Sequence, residues 1–170
     1  MQNHFDLFQL PQQFNIDLAQ LDKAYREVQS QVHPDKFVQA SDAEKRVAMQ
    51  WATRANEAYQ TLKKPLSRAM YLCELHGVDL QTESNTHMPA AFLMQQMEWR
   101  EAFDEARDAH DMRQLDTLEN DLRSALKQQI TLVGTMLDAG DFQAVAQEVR
   151  MCMFLEKFMN DVIAHAALGD

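Results

Sequence analysis

The sequence predicts an all-α protein, and three observations support this expectation. Only four glycines and four prolines occur in 170 residues. Alanine, leucine, glutamine and glutamate, which favour helices, are plentiful, and apolar residues recur at helical spacing over most of the chain. Each proline falls where that periodicity stops, because proline is excluded from helix interiors. The pattern predicts seven helices, and an apolar content of 46% suffices for a globular core.

The first two helices lie before the proline at position 34. A short helix is predicted around residues 6–10, followed by a second helix that Asp17 can cap. The apolar stripe of this second helix is predicted to comprise Leu18, Leu21, Tyr25, Val28 and Val32. The helix should stop near His33, since Pro34 disfavours helical geometry at the residue before it. Residues 33–35 are therefore expected to begin a loop.

Two further helices complete a first domain over residues 1–77. Ser41 and Glu44 form a capping-box pattern at the start of the third helix, which should lie antiparallel on the second. Its apolar stripe is predicted to comprise Ala48, Trp51, Ala52, Ala55, Tyr59 and Leu62. Pro65 suits the first turn of the fourth helix, and Gly77 is placed to cap its carboxyl end.

The second half of the chain is predicted to form a separate domain over residues 90–170. Residues 78–89 are polar and lack periodicity, so they are interpreted as an interdomain linker. Three helical segments are expected beyond it, at about 90–109, 111–138 and 142–167. Gly140 and Asp141 mark the last break between helices. A three-helix bundle is the simplest architecture for this half.

The net charge of −10 lies entirely in the second half. Residues 1–77 hold nine basic and nine acidic side chains, whereas residues 78–170 hold seven and seventeen. Such a surface is repelled by nucleic acid and by anionic membranes, so neither is expected as a partner. The sequence also shows no apolar run of membrane-spanning length and no signal-peptide pattern at its amino terminus. A cytoplasmic location is expected.

The distribution of cysteine and histidine gives no indication of a metal or another cofactor. Cys73 and Cys152 stand far apart in apolar helical surroundings, and the six histidines do not share a helical i, i+4 spacing with one another or with a cysteine. Both cysteines are expected to be buried thiols. No nucleophile, glycine-rich anion loop or second acid cluster accompanies His33 and Asp35, so no enzymatic activity is expected.

The tripeptide His-Pro-Asp at residues 33–35 is the strongest functional signal of the first half. It lies between two helices that are expected to be antiparallel. Basic residues precede it on the polar side of the second helix, and a further basic residue follows it directly. With the segments YREVQSQVHPDKF, RANEAYQTL and KKPLSRAMYL, it resembles a J-domain across residues 4–76. The resemblance implies docking on the ATPase domain of a DnaK-type chaperone through His33, Pro34, Asp35, Lys23, Arg26 and Lys36. The alternative is that these residues only terminate a helix.

The helix after residue 89 has two apolar faces. Its core face is predicted to comprise Phe92, Gln96, Trp99, Phe103 and Ala106. On the opposite face, an apolar patch continues into an acidic strip that comprises Leu93, Met94, Met97, Glu98, Glu101 and Glu105. A bundle with one core does not require such a patch. An exposed apolar patch of this kind indicates a binding site for a partner protein. The alternative is that the patch packs against the first domain.

The last helix shows a similar division. Val145, Cys152, Met159 and Val162 are predicted to form its core stripe. Phe154 is expected to project from the far side, near Met151 and Phe158. A large apolar side chain in that position adds to the predicted interaction surface.

The whole chain resembles the HscB family, the J-domain co-chaperones of iron–sulfur cluster assembly. The combination of a J-domain, a short linker and an acidic three-helix domain containing FLMQQMEWREAFDEA carries the resemblance. It implies two partners, the chaperone ATPase HscA and the cluster scaffold IscU. It places the scaffold-binding surface at Leu93, Met94, Met97, Glu98, Glu101, Glu105 and Phe154. The amino-terminal CxxC pairs of many eukaryotic members are missing, which implies a bacterial-type protein without its own metal. A J-domain protein with a different client is the alternative.

Overall fold

A computed structural model describes residues 2–80 and 88–168, and within these residues the chain forms helices and no strand. The helices are α1 (His4–Leu7), α2 (Leu18–Gln31), α3 (Asp42–Lys63), α4 (Pro65–Leu75), α5 (Ala90–Asp108), α6 (Met112–Asp138) and α7 (Phe142–Leu168). A 3₁₀ turn at Pro34–Phe37 lies between α2 and α3. The predicted all-α class is confirmed. The chain divides into two compact units, Met1–His76 and Gly77–Asp170.

In the first unit, α2 and α3 pack against each other. The rings of Tyr25 and Tyr59 stack 4.1 Å apart, and the Tyr59 hydroxyl donates a 2.7 Å hydrogen bond to Asp22. The Tyr25 hydroxyl donates a hydrogen bond to Asn56. Residue numbers therefore increase along α2 while those of the contacting residues decrease along α3. The predicted antiparallel pairing is therefore confirmed. The core of this unit includes Phe5, Leu21, Ala55, Leu62 and Cys73, all of which are fully buried.

Most helix ends of the first unit follow from local capping. Asp17 accepts a 2.9 Å hydrogen bond from the amide of Ala19, and Ser41 accepts one of 3.2 Å from the amide of Glu44. Gly77 follows α4 with a φ of 69°, the left-handed conformation that the sequence predicts at this helix end.

The first helix departs from the prediction of residues 6–10. It begins earlier because Asn3 and Asp6 form a reciprocal capping box, and it ends before Gln9, which has a φ of 55°.

Two residues of the predicted apolar stripes are exposed. Leu18 is 48% exposed because it occupies the first position of α2, beyond the part that packs on α3. Trp51 is 38% exposed, and the guanidinium of Arg54 lies 5.4 Å from its ring centroid. Small residues, chiefly Ala48, Ala55 and Ala58, form the buried face of α3 instead, which lets neighbouring helices approach closely.

The second unit is a bundle of α5, α6 and α7. The turn between α6 and α7 contains Gly140 at a φ of 80°, which a residue with a side chain rarely adopts. The core stripe predicted for α7 is buried throughout, and α5 buries Phe92, Phe103 and Ala106. The three-helix architecture is confirmed. Most of the predicted linker, residues 81–87, lies outside the described residues.

Two candidate binding surfaces

The His-Pro-Asp motif forms a stiff exposed turn, which we call the HPD turn (residues 33–36). His33 has extended backbone angles, as expected before proline, and Pro34 opens the 3₁₀ turn with its own φ fixed by the ring. The amide of Lys36 donates a 3.0 Å hydrogen bond to the carbonyl of His33, which closes the turn. The segment that was expected to begin a loop after α2 thus starts with a short 3₁₀ turn.

The side chains of the HPD turn point to solvent. The Asp35 amide donates a 3.2 Å hydrogen bond to Nδ1 of His33. Nδ1 of His33 also lies 3.6 Å from Oδ2 of Asp35. The side chains of His33 and Asp35 are 58% and 88% exposed. An exposed carboxylate held in a fixed turn is suited to pair with a cation on another protein.

Basic residues surround the HPD turn on one side. An open hollow of about 580 Å³ is lined by Arg26, Gln29, Ser30, His33, Asp35 and Lys36. Lys23 is also exposed on α2 but does not line the hollow. Asp22, which interrupts the basic face of α2, accepts the hydrogen bond from Tyr59 and so lies at the junction with α3. That bond raises the pKa of the Tyr59 hydroxyl above its ordinary value.

The second surface lies on α5, and we call it the α5 face (Leu93, Met94, Met97, Glu98, Glu101 and Glu105). Leu93, Met94 and Met97 are 43%, 64% and 71% exposed. The three glutamates are exposed as well. An apolar patch that runs into a row of carboxylates is therefore present on the outside of the helix, as the periodicity predicted.

Phe154 does not project freely from α7 as the sequence suggested. It is half-buried, with its ring centroid 5.8 Å from Phe92 and 6.0 Å from Phe158. Phe158, near which Phe154 was expected to project, is only 2% exposed and belongs to the core. The physical reason is that Phe103 packs edge-on against Phe158 at 5.8 Å while the guanidinium of Arg100 covers its ring at 4.7 Å.

An open groove joins part of the α5 face to Phe154. It has a volume of about 710 Å³ and is lined by Gln96, Met97, Arg100, Glu101, Asp104, Glu105, Asp108 and Phe154. The groove brings together Met97, Glu101, Glu105 and Phe154. Leu93, Met94 and Glu98 lie on the same helix but outside the lining of the groove.

Sequence reasoning missed four residues of this groove. Asp104 and Asp108 extend the acidic strip, and Gln96 and Arg100 also line the groove. Asp104 follows Met97 by seven positions and Asp108 follows Glu101 by seven, which is the spacing of one helix face. Continuing the helical count to the end of α5 would have found the two aspartates.

Within the described residues, the cysteines and the possible metal ligands form neither a disulfide nor a metal-binding cluster. Burial raises the pKa of the Cys152 thiol to about 12 and that of the Cys73 thiol to about 11. Both thiols are buried and neither forms a disulfide, as predicted. In residues 2–80 and 88–168, histidine, cysteine and carboxylate side chains do not gather into a group of three that could hold a metal ion. Nor does that part of the chain contain a helix with the length and apolar character to cross a membrane.

Comparison with known proteins gives matches over both units. A DnaJ domain model matches residues 3–71, and a model described as the HSCB C-terminal oligomerisation domain matches residues 88–162. A co-chaperone protein HscB homolog from Burkholderia multivorans is 56% identical over 160 residues, which cover 94% of this chain and 91% of that protein.

Solved structures agree with the sequence matches. Chaperone HscB from Vibrio cholerae matches with a TM-score of 0.81 and 33% identity, over 95% of this chain and 96% of that one. Human co-chaperone protein HscB matches with a TM-score of 0.83 and 29% identity, over 94% of this chain and 81% of that one. The predicted resemblance is confirmed: the chain belongs to the HscB family of co-chaperones, and its first unit carries a J-domain.

Proposed function

We propose that this chain is an adaptor between an iron–sulfur cluster scaffold and a chaperone ATPase. The HPD turn, with Lys23 and Arg26, docks on a DnaK-type chaperone of the HscA kind and stimulates its ATPase. The α5 face, with Phe154, binds a scaffold of the IscU kind. The chain acts in the cytoplasm, is not itself an enzyme and needs no cofactor. The coupling assists cluster transfer to acceptor proteins.

The chemistry of the HPD turn supports docking on the ATPase. The ring of Pro34 and the hydrogen bond from the Asp35 amide to His33 stiffen the turn. Little conformational entropy is therefore lost when Asp35 pairs with a cation of the partner. Arg26 and Lys36 lie beside the same hollow and provide positive charge around that contact. Such exposed charges mainly steer the encounter with an acidic surface and set its dependence on salt.

One observation carries the scaffold half of the proposal: large apolar side chains are exposed on α5 directly beside carboxylates. Leu93 and Met97 stand four residues apart, and Glu101 and Glu105 continue the same row. Methionine side chains adapt to an irregular partner surface, while the carboxylates select basic groups next to the apolar contact. The groove adds the half-buried ring of Phe154 to this arrangement.

Holding both partners on one chain explains why the two surfaces occur together. Binding of the scaffold to the α5 face raises its effective concentration at the chaperone that the HPD turn engages. The chaperone and scaffold sites are then coupled, and by linkage each ligand raises the apparent affinity for the other. ATP hydrolysis traps the scaffold on the chaperone in this scheme.

Titration of the chaperone's ATPase with this chain, in the presence and absence of scaffold, tests the proposal. The chain alone should not hydrolyse ATP, and it should accelerate hydrolysis by the chaperone, with a further increase when scaffold is added. Intrinsic turnover that persists through further purification would contradict the adaptor role. Stimulation without any response to scaffold would instead indicate a J-domain protein for a different client.

A further inference from the structure

The described residues contain four well-exposed methionines, and two of them lie on the α5 face. Met94 and Met97 are 64% and 71% exposed, Met49 in the first unit is 70% exposed, and Met112 is 38% exposed. Met159, by contrast, is 9% exposed within the core of the second unit. The thioethers most open to a dissolved reagent thus include two that stand one helical turn apart in the surface proposed to bind the scaffold.

The surroundings of these thioethers favour one class of oxidant. Glu98 and Glu101 each lie four positions after one of the two methionines, and Glu105 extends the negative charge along α5. Anionic oxidants are repelled by such a row of carboxylates, whereas a neutral oxidant is not. Hydrogen peroxide is neutral and is small enough to reach an exposed sulfur atom.

We propose that Met94 and Met97 form an oxidation-sensitive site through which a neutral peroxide weakens scaffold binding; this inference rests on the proposed function of the α5 face. In the reaction, a sulfur lone pair attacks one peroxide oxygen, the O–O bond breaks and an S–O bond forms. The sulfur is oxidised by two electrons to the sulfoxide, and the peroxide is reduced to water. A methionine sulfoxide reductase returns the thioether.

The sulfoxide changes the chemistry of the surface without changing its shape much. It replaces an apolar, flexible side chain end with a strong hydrogen-bond acceptor that is costly to bury in an apolar contact. Because Met94 and Met97 are exposed, the core of the second unit does not depend on them. The HPD turn contains no methionine, so its action on the chaperone should continue after oxidation.

The experiment treats the full-length chain with hydrogen peroxide and measures three quantities on the same sample. Mass spectrometry of peptides reports oxidation at each methionine, calorimetry reports scaffold affinity, and ATPase assays without scaffold report the HPD turn. We expect oxidation of Met94 and Met97 to lower scaffold affinity by about tenfold while basal stimulation persists. Treatment with methionine sulfoxide reductase should restore the affinity.

Two variants isolate the site. Met94→Leu/Met97→Leu keeps apolar side chains of similar volume that peroxide does not oxidise. The scaffold affinity of this variant, measured before and after peroxide treatment, should not change with the treatment. Met49→Leu, which removes an equally exposed methionine from the first unit, should stay as sensitive to peroxide as the unsubstituted chain. The two variants together separate damage at the α5 face from general oxidative damage.

The outcomes distinguish this inference from the function on which it rests. Untreated chain that fails to bind the scaffold would overturn the proposed function, and the oxidation site with it. Untreated chain that binds, and that binds equally well with both methionines oxidised, would overturn the oxidation site alone. Equal peroxide sensitivity of the Met94→Leu/Met97→Leu variant would do the same.

Discussion

The HPD turn and the α5 face differ in how their chemistry is distributed along the chain. The HPD turn concentrates its functional groups in consecutive residues, and the proline ring and local hydrogen bonds hold them. The α5 face spreads its groups over several helical turns and is joined by Phe154 from another helix. Loss of a single charged group should therefore abolish the action of the HPD turn. The α5 face should instead lose part of its affinity for the scaffold with each substitution.

The largest effect is expected from Asp35→Asn. This change removes the charge of the HPD turn but keeps the shape of the side chain, so stimulation of the chaperone's ATPase should fall to the level of the chaperone alone. The carboxylate is 88% exposed, and the melting temperature should stay nearly unchanged. ATPase assays and circular dichroism on one preparation measure both effects.

Asp121→Asn is a matched control for the same assays. Asp121 is an exposed aspartate on α6, far along the chain from the HPD turn, and its replacement removes the same charge. Stimulation should be unchanged in this variant. Full stimulation by Asp35→Asn would mean that the motif only terminates a helix.

The next largest effect concerns stability and separates the core from the α5 face. Phe158→Ala should lower the free energy of unfolding by about 3–5 kcal/mol, because a nearly fully buried ring leaves a cavity. Leu93→Ala/Met97→Ala should leave it almost unchanged, since both side chains are exposed. Thermal and denaturant unfolding measure the contrast, and comparable losses in the two variants would place the α5 face in the core.

Scaffold binding, unlike stability, should depend on the exposed apolar residues of the α5 face. Leu93→Ala and Met97→Ala should each weaken scaffold binding by about 1–2 kcal/mol, without strict additivity in the double variant. Calorimetric titration with scaffold measures this loss. A folded double variant that binds the scaffold as tightly as the unsubstituted chain would rule out the α5 face as the binding surface.

Phe154→Ala is expected to fall between these two cases. Its ring is half-buried and contacts both Phe92 and Phe158, so its removal should cost about 1–3 kcal/mol of stability, less than a fully buried ring costs. It should also weaken scaffold binding. The expectation from the sequence that Phe154 projects from the far side of α7 is therefore revised.

The smallest effect is expected from the acids of the α5 face. Glu101→Gln/Glu105→Gln should slow association with the scaffold a few-fold at low salt and reduce the dependence on salt, because exposed charges act mainly on the encounter. Stopped-flow measurement at two ionic strengths tests this. An association rate that stays unchanged at both would assign recognition to the apolar contacts alone.

The fold could be predicted because local signals and periodicity agree in this chain. Asp17 and Ser41 cap the helices that they were expected to cap, and Gly77 and Gly140 stand at positive φ where helices end. The exposed patch on α5 also followed from counting helical positions. Family resemblance and spacing together placed both candidate surfaces.

What could not be predicted depends on contacts between helices that are distant in sequence. Whether Phe154 or Phe158 is buried depends on Phe92, Phe103 and Arg100, which reach them from α5. Trp51 matches the apolar period of α3, but its neighbours there are alanines, and the packing of small residues left it at the surface beside Arg54. A periodic pattern predicts which face of a helix is apolar. It does not predict which side chains of other helices will cover that face.

The most direct test of the adaptor account compares how scaffold changes the action of this chain on the chaperone. The measured quantity is the concentration of chain that gives half-maximal ATPase stimulation, with and without saturating scaffold. Scaffold should lower that concentration for the unsubstituted chain and should have no effect on it for Leu93→Ala/Met97→Ala, which should still stimulate through its intact HPD turn. An equal shift by scaffold in both proteins would contradict coupling through the α5 face.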